Sequence, residues 1–241
     1  MIPLRDDNPT ELKPVVTVTF ILLNLAIWIW IQGAGAVDVV NASATMFGTR
    51  PCELTGGCEV EGLSWSTLIT AMFMHGSWEH LLGNLLFLWV FGNNIEDSMG
   101  HLRFIVFYTF CGLAAGLAHV FMGPASLLPA VGASGAISGI MGAYIVLYPH
   151  ARVQTWIPPL FLVNIRAMFF LAYWLVLQLV MASQTFGAAG EEGGVAVWAH
   201  VGGFVAGVAL IKLFEDPRLV EARKRHIKLT PEEVARMGGG W

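Results

Sequence analysis

The chain has 241 residues, 56% of them hydrophobic and 12% charged, with a formal net charge of −4. That charged share is about half of what a soluble domain carries, which argues against a water-soluble core and places the chain in lipid. The basic residues are scattered or gathered near the C-terminal end without interleaved aromatics, a pattern that argues against a nucleic-acid partner.

Six apolar segments are predicted as spans, in chain order about 15–34, 69–93, 103–122, 133–149, 159–184 and 195–214. Each approaches the ~20 residues that cross a bilayer, and backbone in hydrocarbon must satisfy its own hydrogen bonds, so their interiors are read as helical. The first run is long for a signal peptide and has a flank of mixed sign, so it is read as a retained span. Between the third and fourth spans, Gly123, Pro124 and Pro129 stop one helix and let the chain turn back.

Six spans put both termini on one side, and that side collects every Lys and Arg of the 13 except Arg50. Basic residues in short loops favour the cytoplasm, so both ends are expected there. The expected organisation is a cytoplasmic segment at 1–14, a membrane domain at 15–214 with an outer loop at about 35–68, and a polar cytoplasmic tail at 215–241. The expected fold class is an all-α polytopic membrane protein, a six-helix bundle. Thr230-Pro231-Glu232-Glu233 reads as a helix start in the tail. Cys52 and Cys58 lie in the outer loop, where a disulfide or two free thiols fit equally, and Cys111 in an apolar span reads as packing.

Polar side chains inside spans are costly, which makes them functional candidates. His80 and Asn84 stand four residues apart on one helical face. Gly132-Ala133-Ser134-Gly135 opens the fourth span, and the sixth carries Ala199-His200 ahead of Gly202, Gly203 and Gly207. At ~1.5 Å per residue, His80, Ser134 and His200 each stand roughly 20 Å from the next cytoplasmic marker, so the three share one depth. Small residues let helices in lipid approach; Gly132, Gly135, Gly139, Gly203 and Gly207 are candidates for bringing Ser134 to His200. A serine at a buried helix start with a facing histidine suits base-activated nucleophilic attack. The Ser134 N–H, Asn84 and His80 are candidate donors to the oxyanion that follows.

Other polar groups read differently. Ser138 and Ser183 suit bonds to their own helix backbone, and His119 near a helix end suits a structural role. His75 suits either an interfacial position or support of the site. In His75-Gly-Ser-Trp-Glu79-His80 the histidines are five apart, about 140° around a helix, which disfavours a zinc site built on the two-ligand helical motifs. No metal and no cofactor are expected.

These residues resemble a known family. Gly132-Ala133-Ser134-Gly135 matches the G-x-S-G of rhomboid intramembrane proteases, Ala199-His200-Val201-Gly202-Gly203 resembles their A-H-x-x-G, and His80-Leu-Leu-Gly-Asn84 matches their H-x-x-x-N. Glu96-Asp97-Ser98-Met99-Gly100-His101-Leu102-Arg103-Phe104 resembles the family's turn into the third span. The resemblance covers roughly residues 65–212. It implies a Ser134–His200 dyad without a third acid, an oxyanion hole of His80, Asn84 and the Ser134 amide, and a fifth span that forms a mobile wall. It also implies cleavage of single-span membrane proteins near the outer end of their transmembrane segment, inside the lipid bilayer and without a cofactor. Some members carry a tyrosine four residues after the nucleophile, packed on the catalytic histidine; Ser138 stands there, and the sequence names no substitute. The Trp-Arg pair of some members' first outer loop is absent.

Two other classes fit the sequence less well. A catalytically inactive rhomboid-like protein that binds transmembrane helices usually lacks the serine or the histidine, and a small transporter shows paired intramembrane carboxylates or broken helices in symmetric halves. The sequence favours the enzyme, and its charge-poor loops and compact length point to a bacterial inner membrane.

Overall fold

The computed structural model describes residues 1–60, 62, 64–159, 161–185 and 196–224. In chain order these form β1 (Ile2–Asp6), α1 (Val15–Trp30), α2 (Val37–Phe47), α3 (Trp78–Phe87), a π turn (Leu88–Gly92) running into α4 (Asn93–Met99), α5 (His101–Met122), α6 (Ser134–Leu147), β2 (Arg152–Ile157), β3 (Phe161–Arg166), α7 (Ala167–Thr185), α8 (Val197–Phe214) and α9 (Pro217–Lys224). Single helical turns fill parts of 33–35, 51–55 and 64–73. The helix start expected at Thr230 lies outside the described residues. α5, α7 and α8 are long and apolar enough to cross a membrane, and α1 and α6 are shorter apolar helices.

Two expectations need correction. The chain is mostly helical but not all-α: β1, β2 and β3 form an antiparallel sheet in that order, with Pro3 opposite Thr155 and Val153 opposite Ile165. The segment predicted as the start of the fifth span is therefore β3, and the helix begins at Ala167. Val153, Thr155 and Ile157 alternate with Arg152, Gln154 and Trp156 at the strand period of two, and Pro158-Pro159 makes the turn. Apolar content alone does not separate such a strand from a span. The second predicted span likewise starts late. Ser77 accepts a hydrogen bond from the His80 N–H at 3.1 Å and caps α3 there, so the continuous helix runs from Trp78 through the π turn to Met99.

The core lies where the π turn, α4, α5, α6, α7 and α8 meet, and Phe91, Phe104, Phe107, Tyr108, Tyr144 and Phe170 are fully buried in it. Outward positions remain apolar, among them Trp30, Leu22, Phe110, Phe121 and Leu213. That inverts a soluble protein's surface and suits lipid. Two carboxylates tie α1 down from α4. Glu96 accepts from the Val16 and Thr17 N–H groups at 2.9 and 2.8 Å, and Asp97 accepts from Glu11 and Leu12 at 3.0 and 2.7 Å. Pro14, before α1, offers no side-chain cap, so the helix's free N–H groups are met from another helix. Asp6 of β1 accepts from Asn94, and the Asp216 N–H donates to Ser98. The first strand and the last described helix thus meet the same short helix, and both lie at one end of the bundle.

At the other end the segment between α1 and α3 folds over the turn that leads into α6. Thr49 and Ala130 exchange backbone hydrogen bonds of 2.9 and 2.8 Å, and the Cys52 N–H donates to the Ser126 carbonyl at 3.1 Å. Cys52 and Cys58 form a disulfide in this segment. Cys111 is fully buried against Gly139, in keeping with a packing role.

Candidate active site

Ser134 is the first residue of α6, and the chain reaches it through a constrained turn. Gly132 has φ +127°, a conformation that side chains rarely adopt, and its N–H donates to the Ala71 carbonyl at 2.8 Å. No side chain caps α6 at Ala133, so the first-turn N–H groups and the positive end of the helix dipole remain available beside the Ser134 hydroxyl. Ser138 donates to the Ser134 carbonyl and Ser183 to the Val180 carbonyl, so both bond their own helix.

His200 sits in the first turn of α8. Its Nε2 lies 2.7 Å from Ser134 Oγ. Backbone-to-backbone contact of α6 with α8 makes this possible. A Cβ at Gly203 would fall 2.0 Å from the Gly135 carbonyl oxygen, one at Gly207 1.9 Å from that of Gly139, and one at Gly142 2.2 Å from that of Phe204. Glycines at these positions remove the side chains that would hold the two helices apart.

His80 and Asn84 flank the turn before Ser134. A Cβ built at Gly132 would lie 2.6 Å from His80 Nε2 and 3.5 Å from Asn84 Nδ2, so both nitrogens face the backbone immediately ahead of the serine. Asn84 Nδ2 is buried and has no hydrogen-bond partner among the described residues. His75 is fully buried, with its ring edge-on to His80 at 5.2 Å between centroids. Gln32 clamps its backbone, accepting from the His75 N–H and donating to its carbonyl, each at 2.8 Å. His119 lines the same small cavity as Gly132, Ser134 and Gly135.

The second ring nitrogen of His200 is also engaged: Nδ1 lies 2.8 Å from Oε1 of Gln178, on α7. Trp174, one turn earlier on that helix, sets its ring 5.7 Å from the imidazole at a tilt of 44°.

Residues 62–215 match the Rhomboid domain family model. The chain belongs to the rhomboid family. It is 34% identical over 84 residues to the chloroplastic Rhomboid-like protein 11 of Arabidopsis thaliana (35% of this chain, 30% of that protein). It is 30% identical over 131 residues to Rhomboid protease GluP of Bacillus subtilis (54% and 24%). It is 26% identical over 223 residues to Rhomboid protease AarA of Providencia stuartii (82% and 71%). The chain therefore spans less than a third of the first two relatives' lengths. Membership of the rhomboid family, together with the apolar helices, makes this an integral membrane protein.

The matched region of this rhomboid holds every side chain described above except that of Gln32. Where some rhomboids carry a tyrosine four residues after the serine, Ser138 here turns back to its own helix, and the His200 ring is met from α7 instead. Sequence reading missed Gln178 and Trp174. The available signal was an amide in the middle of an apolar span, four residues after a tryptophan and so on the same helical face.

Proposed function

We propose that this rhomboid is an intramembrane serine endopeptidase, with Ser134 as nucleophile and His200 as general base. The observation that carries the reading is the 2.7 Å approach of His200 Nε2 to Ser134 Oγ at an uncapped helix start inside an apolar bundle. With Nδ1–H donating to Gln178, the lone pair of Nε2 faces the serine hydroxyl and accepts its proton as Oγ attacks the scissile carbonyl. The carbonyl oxygen becomes an oxyanion beside Gly132. There the Ser134 N–H, Asn84 Nδ2 and, when it carries a proton, His80 Nε2 can donate to it, and one such donor is typically worth about 10²–10³ in turnover. The imidazolium then protonates the leaving amine, and a water activated by the same nitrogen hydrolyses the acyl-enzyme.

The substrates proposed are single-span membrane proteins, cut near the outer face of the bilayer. The matching arrangement is six spans, formed by α1, α3 with its π turn and α4, α5, α6, α7 and α8, with both termini cytoplasmic. The charge-poor loops suit a bacterial inner membrane. The experiment is cleavage of a generic single-span substrate in liposomes by the unaltered chain, Ser134→Ala and His200→Ala. Cutting near the outer boundary by the unaltered chain alone supports the dyad. Cutting that survives Ser134→Ala sinks it, and no cutting by any of the three, across substrates with helix-loosening residues, favours a helix-binding protein without catalysis.

A further inference from the structure

We propose that Gln178 is the positioning residue that fixes the tautomer and ring plane of His200, and that it does so from a helix outside the glycine-locked pair of α6 and α8, so the base is aligned only while α7 rests against α8. The proposal rests on the reading of Ser134 and His200 as nucleophile and base.

A neutral imidazole has one proton and two nitrogens, and only the tautomer protonated on Nδ1 leaves Nε2 free to accept from Ser134. A carbonyl oxygen 2.8 Å from Nδ1 selects that tautomer because it can only accept. An amide does this without adding charge, and it goes on accepting when the ring becomes an imidazolium. The bond is buried, with Gln178 9% and His200 7% exposed, so water competes poorly for either partner. Trp174 lies against the ring from the same face of α7 and against Phe204, with ring centroids 6.3 Å apart. Together the two residues do what an aromatic four residues after the serine would do from α6 itself.

Placing that function on α7 has a mechanical consequence. α6 and α8 touch through backbone at three glycines and cannot separate without losing that contact. α7 presents Gln178, Trp174 and Ala182 inward along one stripe, while Phe169, Tyr173, Val176, Leu177 and Val180 face outward. A shift of α7 by about 1 Å takes the Gln178–His200 contact beyond hydrogen-bond length. Ser134 and His200 stay where the glycines hold them, but the ring is then free to rotate or to exchange tautomer.

The test compares Gln178→Met and Gln178→Leu, which lack an acceptor, with Gln178→Glu, which keeps an oxygen at the same reach. Each full-length variant is reconstituted in liposomes. Two quantities are read: kcat and KM on the single-span substrate, and the rate at which a small fluorophosphonate labels Ser134, a reaction that needs an activated serine but no substrate helix. The expected result is a loss of about 10²-fold in both kcat and labelling rate for the two acceptor-free variants, with KM within about threefold and recovery of most of the loss in Gln178→Glu. Wild-type labelling and kcat in either folded acceptor-free variant overturns the proposal, as does a loss confined to KM or an unrescued loss in Gln178→Glu. If Ser134→Ala stays silent while Gln178 is indifferent, only the positioning role fails; if Ser134→Ala still cuts, the dyad reading itself fails.

Discussion

Replacing Gly207 by alanine sets two physical effects against each other. In a helix interior alanine is favoured over glycine by roughly 1 kcal/mol, so intrinsic propensity predicts a more stable α8. Packing predicts the opposite, because the new methyl would fall 1.9 Å from the Gly139 carbonyl oxygen. Retreat to a C–H···O contact of about 3.3 Å requires about 1.4 Å of helix separation. His200 lies seven residues earlier, on the same face of α8, so a rigid retreat would stretch its 2.7 Å contact with Ser134 to about 4 Å, outside hydrogen-bond range. A misplacement of that size costs about 10²-fold in turnover, and overpacking costs about 1–3 kcal/mol of stability. The control is Gly83→Ala in α3, where a Cβ meets nothing within 4 Å and only the propensity gain applies. Both variants would be measured for substrate cleavage in liposomes and for thermal unfolding in detergent. Gly207→Ala with activity within threefold of the unaltered chain and an unchanged melting temperature would refute the reasoning. So would Gly83→Ala losing as much as Gly207→Ala.

Three further outcomes follow from the opposite end of the bundle and from the loop. Glu96→Ala leaves the Val16 and Thr17 N–H groups without their acceptor and should lower unfolding free energy by roughly 3 kcal/mol, while Glu96→Gln, which keeps one oxygen, should lose less; chemical denaturation reads both. Burial pushes the Asp6 carboxyl up to about 6, so ionising it costs the folded state. That cost is fully present above pH 6 and is relieved as pH falls toward 3.8, the ordinary value, adding up to about 3 kcal/mol of stability at about 1.4 kcal/mol per pH unit. Asp6→Asn should be at least as stable as the unaltered chain at pH 7.5 and should lack that gain between pH 7 and 4 in thermal unfolding. Cys52→Ser opens a disulfide of sequence separation 6 and should cost about 2 kcal/mol on loop-closure grounds; a melting temperature unmoved by reductant in the unaltered chain would contradict this.

How much of this was legible in the sequence depended on contrast. Ser134, His200, His80 and Asn84 stood out because polar groups are rare in apolar spans, and the structure places all four around the Gly132 turn. The expectation that His80, Ser134 and His200 share one depth rested on helix rise and the assigned topology. The glycines were legible as small residues, but which carbonyl each one meets was not, because that depends on the axial register of α6 against α8. The hairpin of β2 and β3 was missed because Val, Ile, Phe and Leu serve a strand and a span equally, and only the alternation over Val153, Thr155 and Ile157 distinguishes them. Gln178 was missed because an uncharged amide raises little alarm in a span and because its partner lies 22 residues further along the chain, on another helix. The local pattern around Gln178 places it on a face, but the neighbour on that face is a tertiary fact.

The two perturbations of His200 can be set against each other. Gly207→Ala moves the histidine away from the serine, whereas Gln178→Met leaves it in place and frees its ring. If both act through the alignment of one nitrogen with one hydroxyl, their effects are not independent, since residues that act as a unit show grossly non-additive losses. Once α8 has retreated by about 1.4 Å, the Ser134 hydroxyl is beyond the reach of Nε2 in either tautomer, and fixing the tautomer gains nothing. The double variant should therefore be little slower than Gly207→Ala alone in fluorophosphonate labelling, not slower by the product of the two single losses. Multiplicative losses would mean that Gln178 acts on something other than the alignment of His200, and the link between α7 and the base would have to be abandoned even if each single variant behaved as expected.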